Sequence, residues 1–241
     1  MNMISMNMKK DSRSGFTLLE LLIVISIIAI LSVALVLVLN PAEALKKSRD
    51  AQRISDLSTM KTALGLYMTS TSTPFLGGVS SNATCEANTA LATVPVTPTK
   101  IFYSSATSIT ATGLDGAAGV YQAAATTVGS TNLGLTDGLG WIPINLDTLT
   151  GGSPISNLPI DPSNAFNGNG TGDSITTVTK ASTFYRYACS ITPLAFEMNA
   201  VMESEAYSTG SDNKLTTDGG NNINFLEVGT SLKILGTGNN F

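Results

Sequence analysis

The chain has 241 residues, which is enough for one well-packed core with an appended helical element. Only 12% of the residues are charged. From residue 70 onward there are twelve acidic and five basic residues, and this negative net charge disfavours binding to nucleic-acid phosphates. No histidine and only two cysteines are present, which excludes zinc sites built on histidine or paired cysteines, Ser-His-Asp triads and Cys-His catalytic pairs.

The first 39 residues have the pattern of a membrane segment. A basic leader, residues 1–15 with Lys9, Lys10 and Arg13, precedes an apolar run over residues 16–39 whose single charge is Glu20. As a helix this run would reach roughly 36 Å, enough to cross a hydrocarbon core of ~30 Å. The leader is predicted to stay cytoplasmic. A cleaved secretory signal is the alternative, but the run lacks its small-residue cleavage site.

The start of this run carries a specific motif, Gly15-Phe16-Thr17-Leu18-Leu19-Glu20 followed by an apolar stretch to Leu31. It resembles the prepilin signal of type IV pilins and type II secretion pseudopilins. The resemblance implies that a membrane aspartyl prepilin peptidase cuts between Gly15 and Phe16 and methylates the new amine of Phe16. Glu20 then matches the glutamate at the fifth mature position.

Glu20 is predicted to act in assembly. A lone carboxylate in lipid costs at least about 2.5 kcal/mol, so it is expected to have a partner. The new cationic amine of Phe16 is the expected partner, either within one chain or on an incoming subunit, where the pair would set the axial register. The alternative is a carboxylate that is tolerated near the helix start and reaches the membrane interface.

A second helix is predicted over residues 40–69. Asn40-Pro41-Ala42-Glu43 is typical of a helix start, although a single helix kinked at Pro41 is the alternative. Apolar residues then recur every three or four positions, which predicts an amphipathic helix ending near Thr69. The predicted apolar stripe contains Leu45, Ile54, Leu57, Met60, Leu64 and Tyr67. The predicted remaining, solvated faces contain Lys46, Lys47, Arg49, Asp50, Arg53, Asp56 and Lys61.

Residues 70–241 are predicted to form a β-rich head. Residues 70–140 are expected to be a long surface region with short strands around Lys100–Ser104 and Val120–Ala124, and later strands are predicted at Thr183–Ser190, Ala195–Val201 and Phe225–Val228, the first two as a hairpin. The segment Leu158–Pro162 followed by an aromatic strand resembles the pseudopilin head. The predicted class is α+β, a long helix packed on a small antiparallel sheet.

Two further sites are predicted in the head. Cys85 and Cys189 can form a disulfide if the head is exported, worth roughly 4 kcal/mol for so long a loop, and two buried thiols are the alternative. Asp212 and Asp218 lie in an Asp- and Asn-rich stretch similar in composition to the calcium loop of major pseudopilins. Calcium binding through these two carboxylates and a plain polar turn are both open interpretations, since the spacing does not fit an EF-hand.

The function predicted from these features is structural rather than enzymatic: a subunit of a type IV pilus-like filament, polymerised through the residue 16–39 helix. A pseudopilin of a type II secretion system and a membrane-anchored surface domain that never polymerises are the alternatives. The resemblance implies other pilins, the prepilin peptidase, membrane lipid, an inner-membrane assembly platform and a cytoplasmic ATPase as partners. The expected location is the cytoplasmic membrane with the head outside, then a surface pilus or pseudopilus.

Overall fold

A computed structural model describes residues 15–86, 99–105, 108–109, 112–114, 121–123, 132–165, 170–171, 174–175 and 178–238. The leader charges predicted to stay cytoplasmic, and the outer ends of the strand predicted at Val120–Ala124, lie outside these residues. The chain divides into two compact units, Met1–Ala44 and Leu45–Phe241.

Two long helices begin the described chain. Helix α1 spans Leu18–Leu39 and helix α2 spans Pro41–Ser70. Between them Asn40 adopts the left-handed conformation with φ 37° and ψ 71°, which asparagine tolerates better than most residues. The backbone oxygen of Asn40 accepts hydrogen bonds from the Glu43 and Ala44 amides, and Pro41 takes the first helical position, where no amide hydrogen is needed.

The apolar stripe of α2 is buried as predicted at Leu57, Met60, Leu64 and Tyr67, whereas Leu45 is exposed. The prediction was wrong for Asp50 and Arg53, which are completely buried. These two residues continue the same three- and four-residue spacing toward the helix start, so they lie on the buried face. Their burial requires partners, which the head supplies.

The head is built on a sheet of six described strands, in the order β3-β4-β1-β7-β8-β9. The β1–β7, β7–β8, β8–β9 and β3–β4 pairs are antiparallel, whereas β1–β4 is parallel. A smaller sheet has the order β2-β6-β5. The strands are β1 Thr99–Tyr103, β2 Ser108–Ile109, β3 Thr112–Leu114, β4 Tyr121–Ala123, β5 Gly170–Thr171, β6 Ser174–Ile175, β7 Arg186–Ile191, β8 Leu194–Ala200 and β9 Leu226–Gly229, with a 3-10 helix at Leu146–Thr148 and helix α3 at Glu205–Ser208.

The predicted α+β class is confirmed, and so is the predicted β7–β8 hairpin. Its register runs from Arg186 opposite Asn199 to Ile191 opposite Leu194. The two-residue connection contains a proline, which suits a turn because no ladder hydrogen bond is needed from it. The parallel β1–β4 pair is an addition that the sequence did not predict.

Around β7 and β8 the large sheet is buried on both faces. One face contributes Phe196, Met198 and Ala200 to the core that contains the apolar stripe of α2. The other face contributes Ala188 and Ala195 to a second core. The residues that cover this second face come from the turn before β7 and from the C-terminal part of the chain: Val178, Phe184, Phe225, Ile234 and Leu235.

The expectation that residues 70–140 form a surface region was wrong for several described residues. Leu76, Tyr103 and Leu133 are buried, and β1 lies inside the sheet between β4 and β7. Strand β1 is an interior strand of the sheet because both of its edges are paired, one with β4 and the other with β7, which lies far along the chain.

Candidate functional site

The predicted processing site lies in non-helical chain immediately before α1. Gly15, Phe16 and Thr17 precede the first helical residue, Leu18. The Phe16 side chain is 88% exposed, and a Cβ built on Gly15 would meet no atom within 4 Å. A peptidase can therefore reach the Gly15–Phe16 bond without first unwinding a helix.

Glu20 forms a capping box with Thr17 at the start of α1. One carboxylate oxygen of Glu20 accepts hydrogen bonds from the Thr17 backbone amide and the Thr17 hydroxyl, both at 2.9 Å. The Thr17 hydroxyl oxygen accepts in turn from the Glu20 amide at 3.2 Å. Two amides that the helix leaves unpaired are thereby satisfied, and the carboxylate lies at the positive end of the helix dipole. Thr17 is not among the residues predicted from sequence, although the Thr-x-x-Glu spacing signals this box.

Helix α1 is apolar on every side. Its large apolar side chains are between 48% and 88% exposed wherever their exposure is described. The two serines bond within the helix, Ser26 to the Leu22 carbonyl and Ser32 to the Ile28 carbonyl, both at 2.7 Å. Among the described residues, one helical stretch, which contains α1, is long and apolar enough to cross a membrane. Such a surface is suited to lipid or to packing against other helices.

In the second unit, Arg53 lies at the centre of a buried ion network. Its Nε and Nη2 donate to the two carboxylate oxygens of Asp161 at 2.7 and 2.9 Å, a bidentate pair. Its Nη1 donates to Asp50 at 2.7 Å and lies 2.7 Å from Glu203. Burial by itself lowers the pKa of Arg53, but the surrounding carboxylates, Asp161 first, hold that pKa above its usual value.

The network continues outward through Arg49 and Glu203. Arg49 donates through Nε and Nη2 to the two oxygens of Glu203 at 2.8 and 3.1 Å. The hydrogen bond from Arg49, and then that from Arg53, lower the pKa of Glu203 to about 2. Asp50 accepts from the backbone amides of Glu203 and Ser204. These contacts join α2 to the segment around Asp161 and to the chain that follows β8.

A hydroxyl–carboxylate contact provides a smaller link between α2 and Tyr185, the residue that precedes β7. The Tyr185 hydroxyl, on a completely buried side chain, donates to Asp56 Oδ2 at 2.7 Å. Burial raises the pKa of Asp56, which the Tyr185 hydrogen bond partly offsets. Asp56 was predicted to be solvated, and it is instead half-buried.

Tyr185→Phe is expected to lower the free energy of unfolding by about 1.5 to 2 kcal/mol, because a hydrogen bond to a charged group is lost while Asp56 stays half-buried. Urea unfolding of the full chain in detergent micelles, followed by the fluorescence of the buried Trp141, measures this change. An unchanged unfolding midpoint would show that water replaces the Tyr185 hydroxyl at no cost.

The structure joins Cys85 and Cys189 by a disulfide with an S–S distance of 2.01 Å, across a sequence separation of 104. Beside it, the Glu86 amide donates to the Cys189 carbonyl, and the Ile191 amide donates to the Glu86 carbonyl. The disulfide therefore holds the chain around Glu86 against the end of β7.

The predicted calcium ligands have other partners. Asp212 accepts from Lys214 Nζ at 2.6 Å. Asp218 accepts from the backbone amides of Gly220 and Glu227 at 2.9 and 2.8 Å. In the part of the chain that the structure describes, no group of three or more acidic or cysteine side chains is arranged to hold a metal ion. Calcium binding stays a prediction.

Comparison with known proteins finds one match. Residues 10–36 match the prokaryotic N-terminal methylation motif, the segment that contains Gly15, Phe16 and Glu20. No curated protein and no solved structure matches the chain. The motif confirms the resemblance of the N-terminal segment to the prepilin signal of type IV pilins and pseudopilins, and it indicates a pilin-like or pseudopilin precursor.

Proposed function

We propose that this protein is a structural subunit of a type IV pilus-like filament. It is made as a prepilin, inserted in the cytoplasmic membrane, cleaved after Gly15 and polymerised through α1. The observation that carries the proposal is the combination in one helix of an apolar surface on all sides and a single carboxylate near its N-terminus, within the methylation motif.

This combination favours polymerisation over simple anchoring. A helix that is apolar all round is stable in lipid and equally stable against identical helices, so its transfer between the two exposes no apolar surface to water. A simple membrane anchor gains nothing from an acid near the start of its helix. In a filament, the same acid would set the axial register of one subunit against the next. Glu20 is already held by Thr17, and after cleavage the cationic amine of Phe16 lies next in the chain to Thr17.

The proposed partners follow from this role. The prepilin peptidase acts on the Gly15–Phe16 bond, membrane lipid surrounds α1 before assembly, and an inner-membrane platform driven by a cytoplasmic ATPase moves the subunit into the filament. The filament contains copies of this chain or of other pilins. The head, outside the cytoplasm, forms the filament surface, where an exported location is consistent with the Cys85–Cys189 disulfide.

A pseudopilin of a type II secretion system is the second candidate. It is favoured by the segment Leu158–Pro162, which resembles the pseudopilin head and whose Asp161 is buried against Arg53. Both candidates share the processing and assembly steps. A long surface filament isolated by shearing cells supports the pilus, whereas a short periplasmic filament together with a secretion defect supports the pseudopilin.

Mass spectrometry of the mature chain tests the processing step. When the full-length precursor is produced together with a prepilin peptidase, we expect the mature chain to begin at Phe16 with a methylated amine. Gly15→Val is expected to leave the leader attached, because a β-branched side chain would occupy the open space at the scissile bond. Material made with an inactive peptidase provides the uncut control. A chain that begins beyond Leu39 would contradict the proposal.

A further inference from the structure

Two glutamates lie side by side on the face of the large sheet that points away from α2. Glu197 on β8 is opposite Gly229, and Glu227 on β9 is opposite Asn199, so the two glutamates project from the same face on neighbouring strands. Their exposures are 0% and 2%. Two carboxylates so placed repel each other at short range with little water to screen them.

Each carboxyl uses one oxygen to hold a backbone segment. Oε2 of Glu197 accepts from the amides of Ile234 and Leu235 at 2.7 and 2.9 Å. Oε2 of Glu227 accepts from the Asn222 amide at 2.7 Å. The Asn222 side chain then donates to the carbonyls of Gly236 and Gly238. The pair therefore fastens the C-terminal segment, residues 231–238, onto the sheet.

The other oxygen of each carboxyl has no donor to accept from. Oε1 of Glu197 and Oε1 of Glu227 receive no hydrogen bond from any described group, and the strand register makes the two side chains diagonal neighbours on one face of the sheet. Within the described residues neither carboxyl has a salt-bridge partner. Only a proton between the two groups turns their contact into a hydrogen bond and removes the repulsion.

The charged and titratable groups around the pair do not replace that proton. On β7, Arg186 directs its guanidinium at the carbonyls of Thr179, Ser182 and Phe184. Of the other titratable groups on the elements packed here, Tyr103 on β1 belongs to the core on the same side of the sheet, Asp218 before β9 interacts with Glu227, and Lys233 in the C-terminal segment is exposed. Burial is the main cause that raises the pKa of Glu227, and repulsion from the acidic Asp218 adds to it.

We propose that Glu197 and Glu227 share one proton and that this carboxylic acid–carboxylate pair is a pH-sensitive latch, which holds residues 231–238 on the sheet and releases them when the proton is lost. The proton belongs to the pair rather than to one residue. Burial raises the pKa of both carboxyls above the usual value for glutamate.

The direction of the pH dependence follows from these raised pKa values. The folded chain retains a proton that the unfolded chain has released above about pH 4.3, so the latch contributes its full stability at acid pH. That contribution falls as the pH rises toward the pKa of the pair. Above it the two charges repel, and relief of that repulsion requires the Glu197 carboxylate and the segment whose Ile234 and Leu235 amides it holds to move away from Glu227.

Tryptic cleavage after Lys233 reports on the latch. The amide of the Lys233–Ile234 bond is the one that donates to Glu197, and the Lys233 side chain is exposed. We expect the cleavage rate in the full chain in detergent micelles to rise about tenfold per pH unit above the pKa of the pair. Cleavage after the exposed Lys180, measured in the same digest, corrects for the pH dependence of trypsin.

Glu227→Gln is expected to remove this pH dependence and keep cleavage slow. The new amide nitrogen donates to Glu197 at every pH, while the amide oxygen still accepts from Asn222. Glu205→Gln, the same substitution at an exposed position on α3, should respond to pH like the wild type. A wild-type ratio of the two cleavages that does not change between about pH 7 and about pH 10 would overturn the proposal, as would a pH-dependent ratio in Glu227→Gln.

Infrared spectroscopy of the wild type provides a test that needs no variant. We expect the carbonyl stretch of a protonated carboxylic acid at about pH 7, where solvated glutamates are ionised, and its loss at the pH at which Lys233 becomes cleavable. The absence of that band at about pH 7 would show that Glu197 and Glu227 share no proton, and this result does not depend on whether Glu227→Gln folds.

Discussion

Arg53→Met is expected to lower the free energy of unfolding of the head by about 5 kcal/mol. Removing one partner of a buried ion pair costs roughly 3 to 5 kcal/mol. Here one arginine forms ion pairs with the carboxylates of Asp50, Asp161 and Glu203. The variant leaves three acids close together around an apolar side chain. For a chain of this size the melting temperature should fall on the order of 10 °C, as followed by Trp141 fluorescence in detergent micelles.

Two controls separate the network from general effects of the substitution. Lys61→Met removes a charge from an exposed position on the same helix and is expected to change stability by no more than about 0.5 kcal/mol. Arg53→Lys keeps the charge but loses the bidentate geometry toward Asp161, so its stability should fall between wild type and Arg53→Met. Equal stability of Arg53→Met and Lys61→Met would show that the network contributes nothing.

The network also sets the response of the wild type to acid. Arg49 and Arg53 hold the pKa of Glu203 at about 2, below the value in the unfolded chain. The stability from this carboxylate is therefore present above the unfolded pKa and is lost as the pH falls toward about 2. In Arg53→Met Glu203 loses one of its two cations, so the destabilisation should be smaller in acid, where protonation neutralises Glu203.

Glu20→Ala is expected to reduce filament yield by at least about tenfold while the chain still inserts in the membrane. Removing the one charge of α1 makes the helix more apolar, so insertion is retained, but the carboxylate that would pair with the Phe16 amine of an incoming subunit is gone. Quantitation of sheared filaments against membrane-extracted subunit measures the change.

Glu20→Gln distinguishes the charge of Glu20 from its role in the capping box. A glutamine at this position can still accept from Thr17 and keep the helix start intact. If the charge sets the register, Glu20→Gln should assemble as poorly as Glu20→Ala. Full assembly of Glu20→Gln would show that Glu20 acts through the capping box and not through its charge. Loss of membrane insertion in Glu20→Ala would contradict the proposal that Glu20 is needed for assembly but not for insertion.

The features predicted well from sequence are those encoded by neighbouring residues. A short local pattern of side chains predicts three of these features: the uniformly apolar α1, the buried stripe from Leu57 to Tyr67 and the β7–β8 hairpin. The capping box of Thr17 and Glu20 is encoded in the same way by the local Thr-x-x-Glu spacing.

The features predicted poorly depend on partners far along the chain. Arg53 and Asp161 are 108 residues apart, and Asp50 and Ser204 are 154 apart. A charged residue on a helix is interpreted as solvated unless a partner is known, so Asp50 and Arg53 were placed on the wrong face. The burial of β1 was missed for the same reason, because its partner β7 lies more than 80 positions later.

By itself the sequence determined that the chain has an apolar N-terminal helix with one acid and a methylation motif, because lipid compatibility and peptidase recognition depend on contiguous residues. Only the tertiary structure decided which charges of the head are buried and with what they pair. A buried charge needs partners, and the fold brings Asp161 and Glu203 to Arg53 from far along the chain. Strand pairing likewise places Glu227 beside Glu197, which no local sequence pattern encodes.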